Sequence, residues 1–360
     1  MRAYLLLWLA LPPALCGQEI AELGERTTLI ENGQYGLKYF PDGGITVLPG
    51  SSGYRVLVAA GISSYLLEGP DVTSLRLVKQ VLEPGPKGSF DNGYAGIYGA
   101  WNDPQTGEIR AIYHAEDQEG MNRLPNGVNG FYASVGLAIS GDEGSTFRKA
   151  GRILAGHQPK NAQGRPDQGC GEPSLVPDQG HHFLYCYYTD HTREGNRGVQ
   201  IGLARSPIAD KGAPGSWMKY YEGAFSEPGL GGRETPVVAA RPAADALFPN
   251  VTYSKALGKY AMVFNILYYA DLREGQTAKG GIFGAFSEDL IHWSSPQLLV
   301  QGLSIGLIDR EVLWHPAIVW DDGRQSRGWL VYSYSPRWGH RGLRTPHYMV
   351  GQRIAFSRGR

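Results

Sequence analysis

A short signature, Ala-x-Ser, recurs four times at the end of a strand-like stretch and constrains the fold more than any other feature. The copies are Ala138–Ser140, Ala204–Ser206, Ala285–Ser287 and Ala355–Ser357, so their starts are 66, 81 and 70 residues apart. Each copy follows two other strand-like runs. A sheet unit of about four strands that recurs in this way cannot bury its own faces and must pack between neighbouring units.

Five such units can be traced along the chain. They cover approximately residues 45–82, 90–153, 170–222, 247–300 and 313–357. The last unit ends one strand short, and the N-terminal stretch Thr27–Phe40 could supply the missing strand and leave no free sheet edge. The sequence therefore predicts an all-β, five-bladed β-propeller, closed by an N-terminal strand, as a single domain over residues 18–360. A two-sheet sandwich is the alternative.

Composition agrees with many short strands and limits the partners. Glycine contributes 50 of 360 residues, aromatic residues 11% and charged residues 19%. No long segment shows a 3.6-residue apolar period, so helix content should be low. The 34 basic and 34 acidic residues cancel, which argues against nucleic acid or an anionic membrane as an electrostatically bound partner.

The N-terminus has the pattern of a secretory signal peptide. Arg2 precedes the apolar run Ala3–Leu15, which is too short to span a bilayer and is followed by Cys16 and Gly17. Cleavage near residue 17 predicts a secreted or periplasmic protein without a membrane anchor. A lipoprotein modified at Cys16 and a retained anchor are the alternatives.

Two further cysteines, Cys170 and Cys186, lie symmetrically about Asp178 in a predicted turn. If that turn closes a hairpin, the two cysteines face each other on adjacent strands. A disulfide and a pair of buried thiols are both compatible with this position.

Polar residues gather where inner strands are expected to begin and second strands to end, which is one face of the predicted fold. The strand starts contribute Asp91, Asn92, Glu172, Asn250 and His315, and the strand ends contribute His114, Glu116, Asp190 and His191. Acidic residues beside Gly and Pro are often ordinary turn formers. Their coincidence across several units favours a ligand site instead.

Three motifs resemble those of five-bladed propeller glycosidases, namely glycoside hydrolase family 43 and its relatives. Glu172-Pro173-Ser174 before an apolar strand, an Asp-Gly turn and a Tyr-rich strand is similar to an acid-Pro-Ser pattern of that family. The segment 287–293 resembles its Ser-x-Asp-Leu-x-x-Trp motif. His315 with the strand 329–334 resembles the unit that contributes a histidine to the central channel.

The resemblance implies three carboxylates, namely a general base, a residue that tunes a pKa, and a general acid. By position Asp91 matches the base and Glu172 the tuning residue, or the acid itself. The third position falls at Phe248, which cannot donate a proton, so Glu234 and Glu311 are the loop alternatives. Carboxylates on neighbouring units could reach the separation of about 6.5–9.5 Å that inversion requires.

Aromatic and histidine side chains complete the predicted site. Trp101, Trp314 and Trp338 are candidates for stacking on sugars, with packing in the core as the alternative. His114, His191 and His315 could hold a divalent ion, although each alone is more often a hydrogen-bonded residue. We expect no required cofactor, with a water or a divalent ion at His315 as the exception.

The sequence thus predicts a secreted glycoside hydrolase that acts on an oligo- or polysaccharide, with inversion at the anomeric carbon. Asp91, Glu172, Glu234 and Glu311 are its candidate catalytic residues. Asn92, Trp101, Glu116, Asp190, Asn250, Trp314 and His315 are its candidate substrate-binding residues. A non-catalytic carbohydrate- or partner-binding propeller is the main alternative, and phosphorolysis or lytic cleavage is another. The oligomeric state stays open.

Overall fold

The structure is a computed structural model. It describes residues 19–48, 53–123, 129–193, 198–238, 243–273, 276–304, 310–338 and 345–358. The predicted signal peptide lies outside these residues. Strands make up 56% of the described residues and helices 2%, which confirms the all-β prediction. None of the helices in the described ranges has the length and apolar character of a transmembrane segment.

The strands are short and follow one another closely. They are β1 (Glu19–Ile30), β2 (Ile45–Val47), β3 (Tyr54–Ala60), β4 (Ser63–Gly69), β5 (Arg76–Leu82), β6 (Tyr94–Asn102), β7 (Ile109–Asp117), β8 (Phe131–Ser140), β9 (Arg148–Ala155), β10 (Asp167–Pro177), β11 (Phe183–Asp190), β12 (Gln200–Pro207), β13 (Met218–Tyr221), β14 (Ala224–Pro228), β15 (Ala244–Ser254), β16 (Lys259–Tyr268), β17 (Gly281–Ser287), β18 (Gln297–Gln301), β19 (Val312–Trp320), β20 (Arg327–Ser335) and β21 (Tyr348–Arg358). Two 3₁₀ turns, Ile208–Asp210 and Tyr269–Leu272, follow β12 and β16.

Consecutive strands pair antiparallel in five meanders. We number these meanders in chain order: β2–β5, β6–β9, β10–β14, β15–β18, and β19–β21 with β1. A short parallel pairing between Asp167–Gly169 of β10 and Phe131–Ala133 of β8 joins the second and third meanders. The four Ala-x-Ser copies lie on β8, β12, β17 and β21, which is the third strand of each of the last four meanders. The Ala-x-Ser repeat therefore correctly predicted the repeating meander.

The first strands of the meanders lie next to one another. Strand β2 contacts β6, β6 contacts β10, β10 contacts β15, β15 contacts β19, and β19 contacts β2. Apolar side chains fill the spaces between successive meanders; Leu57 and Leu66 of the first, for example, pack with Ile97 and Tyr113 of the second. This arrangement buries both faces of each sheet and brings the first strands together.

The N-terminal strand pairs with the C-terminal one, but at a different place from the one predicted. Glu19–Ile30, rather than Thr27–Phe40, runs antiparallel to β21 at the edge of the fifth meander. Residues 31–44 then form turns and coil that lead to the first meander. The residues just before β2, among them Asp42, belong to this connection.

The prediction that Cys170 and Cys186 face each other is wrong. Cys170 lies opposite Asp190, and Cys186 lies opposite Leu175. The turn centres beyond Asp178, which displaces the pairing, and a bulge between Gly171 and Ser174 returns the register by only one residue. Both residues are buried free thiols, and burial raises the pKa of Cys170 to about 12.

Candidate functional site

The same local distortion interrupts the first strand of the third, fourth and fifth meanders. Glu172, Phe248 and His315 each have a positive φ, of 43°, 55° and 52°, and each precedes a proline. In all three strands the pairing register shifts at this point. A bulge re-aims the side chain of the extra residue. Glu172, Phe248 and His315 thus occupy equivalent positions in the three meanders.

Glu172 is buried between two histidines. Its Oε2 lies 3.1 Å from Nε2 of His191, and its Oε1 lies 3.8 Å from Nε2 of His114. Burial alone would raise the pKa of Glu172. The neighbouring imidazoles of His114 and His191, together with the hydrogen bond from His191, outweigh burial and lower the pKa to about 2. The geometry therefore favours an ionised Glu172.

His114 connects Glu172 to a second carboxylate, Glu116. The backbone N–H of Glu172 donates to Nδ1 of His114 at 3.1 Å, so the ring carries its proton on Nε2. That nitrogen donates to Oε1 of Glu116 at 3.1 Å, and Gln118 donates to the other oxygen at 2.6 Å. Two carboxylates from neighbouring meanders, those of Glu116 and Glu172, therefore both approach Nε2 of one imidazole.

Asp42 is a third carboxyl group close to Glu116 and His114. It is not among the site residues predicted from the sequence. It lies three residues before β2 and is partly exposed. Desolvation and the charge of Glu116 together raise its pKa to about 7, against a hydrogen bond from Trp314. We call Asp42, Glu116, Glu172, His114 and His191 the acidic cluster. The same rule that selected strand starts elsewhere, applied to the first meander, would have selected residues 41–44.

His315 and Phe248 pack against each other beside the acidic cluster. Their ring centroids are 4.2 Å apart, and Nδ1 of His315 lies 3.3 Å from the hydroxyl of Tyr98. Burial lowers the pKa of His315 to about 3, so the ring is neutral. Asn250, which accepts a hydrogen bond from the N–H of Ile318, lines a cavity of about 10 Å³ together with these residues.

Aromatic side chains of the fifth meander stand beside Asp42. Trp314 is buried, and its ring lies 5.6 Å from that of Trp338 and 5.1 Å from that of His347. Tyr39 contacts the other side of His347 at 5.0 Å. Trp338 and Tyr39 are partly exposed, so they offer the accessible surface of this aromatic wall.

Asp91 is not part of the acidic cluster, contrary to expectation. Its carboxylate accepts hydrogen bonds from Ser89 at 2.8 Å and from Tyr113 at 3.1 Å, and it forms an ion pair with Lys149 of β9. Tyr113 belongs to the core between the first and second meanders. The structure therefore brings Glu172 and His315 together, as predicted, but pairs Asp91 with a lysine elsewhere.

The other predicted site residues separate into three groups. Glu234 and Asp190 are buried near each other, where Glu234 binds Lys219 at 2.7 Å and His157 at 3.2 Å. Glu311 is exposed and pairs with Arg26 at 2.9 Å. Trp101 packs in the core, as a structural residue does. Asn92 donates a hydrogen bond to Asp117 at 2.7 Å and thereby fixes the loop before β6.

The histidines do not offer a ready metal site. Both ring nitrogens of His114 have partners in the acidic cluster, Nε2 of His191 donates to Glu172, and Nδ1 of His315 faces Tyr98. Within the ranges that the structure describes, no group of three metal-ligating side chains is arranged around one point.

Comparisons with known proteins support the fold. No protein-family profile and no curated protein matches the sequence. Among solved structures the chain is similar to a glycoside hydrolase (14% identity, TM-score 0.56, 92% of this chain and 94% of that chain). It is also similar to the α-L-arabinanase of Penicillium chrysogenum complexed with arabinobiose (12%, 0.53, 92% and 98%). A third is the endo-arabinase of Bacteroides thetaiotaomicron (12%, 0.51, 93% and 99%). At this identity the likeness concerns the fold, and it confirms the resemblance to propeller glycoside hydrolases at that level.

Proposed function

We propose that this protein is a glycoside hydrolase whose reaction takes place at the acidic cluster. The proposal is carried by the contrast between two carboxyl groups around Glu116 and His114, namely Asp42 from the connection before β2 and Glu172 from β10. Asp42 has a pKa of about 7 and is partly protonated at neutral pH, whereas Glu172 has a pKa of about 2 and is ionised. Glycosidic hydrolysis needs one carboxyl group in each state on the two sides of the scissile bond.

In this mechanism Asp42 protonates the oxygen of the leaving sugar, and Glu172 activates a water molecule. Glu116 keeps Asp42 protonated, because a second negative charge nearby disfavours ionisation. The proposed stereochemical outcome is inversion, which requires a carboxyl separation of about 6.5–9.5 Å. The first product anomer, observed by NMR, distinguishes inversion from retention.

The proposed substrate is a neutral oligo- or polysaccharide. Glu172 and Glu116 place negative charge in the site, which disfavours uronic acids and other anionic sugars. Trp338 and Tyr39 offer partly exposed rings on which a sugar face can lie. Since two structurally similar proteins are arabinanases, arabinan is the first polysaccharide to try.

We further propose that the five meanders are the blades of a propeller ring, closed where β1 pairs with β21. The succession of contacts between first strands supports this arrangement. The protein is proposed to be secreted or periplasmic after cleavage near residue 17, and to need no cofactor. Deleting residues 19–30 should lower the melting temperature sharply, whereas an unchanged melting curve would contradict closure.

The test is a panel of neutral and acidic glycans with release of reducing ends as the readout. We expect hydrolysis of at least one neutral glycan, no dependence on phosphate, and loss of activity in Glu172→Gln. Asp91→Asn is the matched control, because Asp91 is also a buried carboxylate but lies outside the acidic cluster. Equal activity in wild type and Glu172→Gln would refute the mechanism.

A binding protein without catalysis is the second candidate. It is favoured by Phe248, which occupies the position equivalent to Glu172 and His315 and has no ionisable group. Binding of a glycan in calorimetry, with no product after prolonged incubation, would support this candidate over the enzyme.

A further inference from the structure

A line of buried and partly buried charged groups extends from Glu172 away from the acidic cluster. His191 donates from Nε2 to Glu172 at 3.1 Å, and its other nitrogen, Nδ1, lies 3.9 Å from Oδ2 of Asp167. Arg193 donates to the same oxygen of Asp167 at 2.5 Å. Glu172 and Asp167 are at the beginning of β10, while His191 and Arg193 follow β11. Two adjacent strand ends thus supply the whole line.

The far end of the line is anchored. The second guanidinium nitrogen of Arg193 lies 3.9 Å from Oδ2 of Asp245. The other oxygen of Asp245 accepts hydrogen bonds from the N–H of Val199 at 2.7 Å and from the hydroxyl of Tyr269 at 2.8 Å. Asp167 is therefore held by a cation that is itself held by the fourth meander.

Nδ1 of His191 is the one buried polar atom of this line that lacks a close hydrogen-bond partner among the described residues. At 3.9 Å from Asp167 it is beyond hydrogen-bonding distance but within reach of the carboxylate charge. A buried imidazole N–H with no acceptor would be costly, so the nearby carboxylate of Asp167 is the group that compensates it.

We propose that Asp167 is a positioning residue that acts through His191 to hold the carboxylate of Glu172 ionised and correctly oriented for hydrolysis. The inference rests on the proposed function. It assigns a role to a residue that does not touch the substrate. The ion pair with Arg193 keeps Asp167 in place, and Asp167 in turn keeps His191 charged and aimed at Glu172.

The electrostatics of His191 agree with this role. Burial lowers its pKa, but Glu172 and Asp167 together raise the pKa to about 10. The charged or titratable groups that face it are Glu172, Asp167, Arg193 and, from β7, His114. Asp167 is the one carboxylate of this set outside the acidic cluster, so it can be changed without altering that cluster directly.

The test compares Asp167→Asn with wild type by NMR of protein labelled in its histidine rings. We expect the His191 titration in Asp167→Asn to move down by at least about one pH unit. Asp167→Glu, which keeps the charge, should titrate close to wild type. Arg165→Gln is the matched control, because Arg165 is exposed and approaches the other oxygen of Asp167 at 3.8 Å. An unchanged His191 titration in a folded Asp167→Asn variant would overturn the inference.

The kinetic arm separates this inference from the proposed function. If wild type hydrolyses a glycan, Asp167→Asn should lower kcat by roughly tenfold or more with little change in KM, and the acid limb of the pH profile should move to higher pH. Loss of stability with an unchanged pH profile would assign Asp167 a structural role and overturn the inference. If wild type hydrolyses nothing, the proposed function fails, while the NMR titration still decides the coupling of Asp167 to His191.

Discussion

Two buried carboxylates at neighbouring strand starts, Asp91 and Glu172, differ in what surrounds them. Asp91 faces one ammonium group, that of Lys149, together with the hydroxyls of Ser89 and Tyr113. Glu172 faces two imidazoles, and Nε2 of one of them, His114, also contacts another carboxylate, that of Glu116. Both residues follow from the same sequence rule, yet only one belongs to a convergent set of acidic groups.

The difference shows how a structural carboxylate can be told from a candidate catalytic one. The carboxylate of Asp91 is paired directly with the ammonium group of Lys149 and is hydrogen-bonded by two hydroxyls. Glu172 instead faces His191, whose pKa Glu172 and Asp167 raise to about 10, so the partner of this carboxylate is a protonated imidazole. Asp42 adds a carboxyl group that is near its own titration point at neutral pH. Only the second environment can exchange protons with a substrate.

The largest effect is expected from Glu172→Gln. Removing the ionised carboxylate while preserving its shape should reduce kcat/KM by roughly 10²–10⁴-fold, which is the usual contribution of acid–base catalysis. The variant should remain folded, because the amide still accepts a hydrogen bond from His191. Initial rates on the best glycan of the panel, with circular dichroism as the folding check, measure this. Activity within a factor of two of wild type would remove Glu172 from the mechanism.

The pH dependence of activity and stability tests Asp42. Activity should fall above a pKa of about 7, where Asp42 loses its proton, and this limb should disappear in Asp42→Asn. The folded-state pKa lies above the ordinary 3.8, so Asp42 stabilises the fold at low pH, and this contribution declines as pH rises from about 4 to 7. Melting temperatures should therefore fall less over this range in Asp42→Asn. An identical alkaline limb in both proteins would show that another group titrates.

Asp91→Asn should affect stability rather than catalysis. The change leaves the Lys149 ammonium without its counter-charge, at a cost of roughly 1–3 kcal/mol in the free energy of unfolding. Urea unfolding measures this loss, and glycan hydrolysis in the same preparation should stay within a factor of a few of wild type. A stable but inactive Asp91→Asn would reverse the comparison and return Asp91 to the catalytic set.

The smallest effect is expected from Glu311→Gln. Glu311 pairs with Arg26 at the surface, and exposed pairs contribute about 0–1 kcal/mol. Thermal melting and hydrolysis should both be close to wild type. A large loss of hydrolysis would mean that this loop carboxylate reaches the substrate, as one reading of the sequence predicted.

Much of the fold follows from the sequence because the repeat is visible in it. The Ala-x-Ser copies mark the third strand of four meanders, and their serines fix the turns that follow; Ser287, for example, accepts hydrogen bonds from the N–H groups of Asp289 and Leu290. The sequence predicted that an N-terminal segment pairs with the last strand, but it placed that segment at Thr27–Phe40. The segment that pairs with β21, Glu19–Ile30, is too polar to show a clear strand pattern.

The site was only partly predictable. Glu172, Glu116 and His315 were found because each lies at the start or end of a recognisable strand. Asp42 was missed because Pro41-Asp42-Gly43-Gly44 has the composition of a turn, and β2 is only three residues long. Asp91 was misplaced because a position at a strand start does not reveal which way a side chain points. That direction depends on Lys149, which is distant in sequence.

The most direct test of the account uses leaving groups of different basicity. Asp42→Asn and Glu172→Gln are compared on the natural glycan and on the 2,4-dinitrophenyl glycoside of the same sugar, whose leaving group needs no protonation. We predict that Asp42→Asn loses roughly 10²–10⁴-fold on the glycan but about tenfold or less on the dinitrophenyl glycoside, while Glu172→Gln is inactive on both. If instead Glu172→Gln cleaves the dinitrophenyl glycoside and Asp42→Asn does not, the proposed roles of the two carboxyl groups are contradicted.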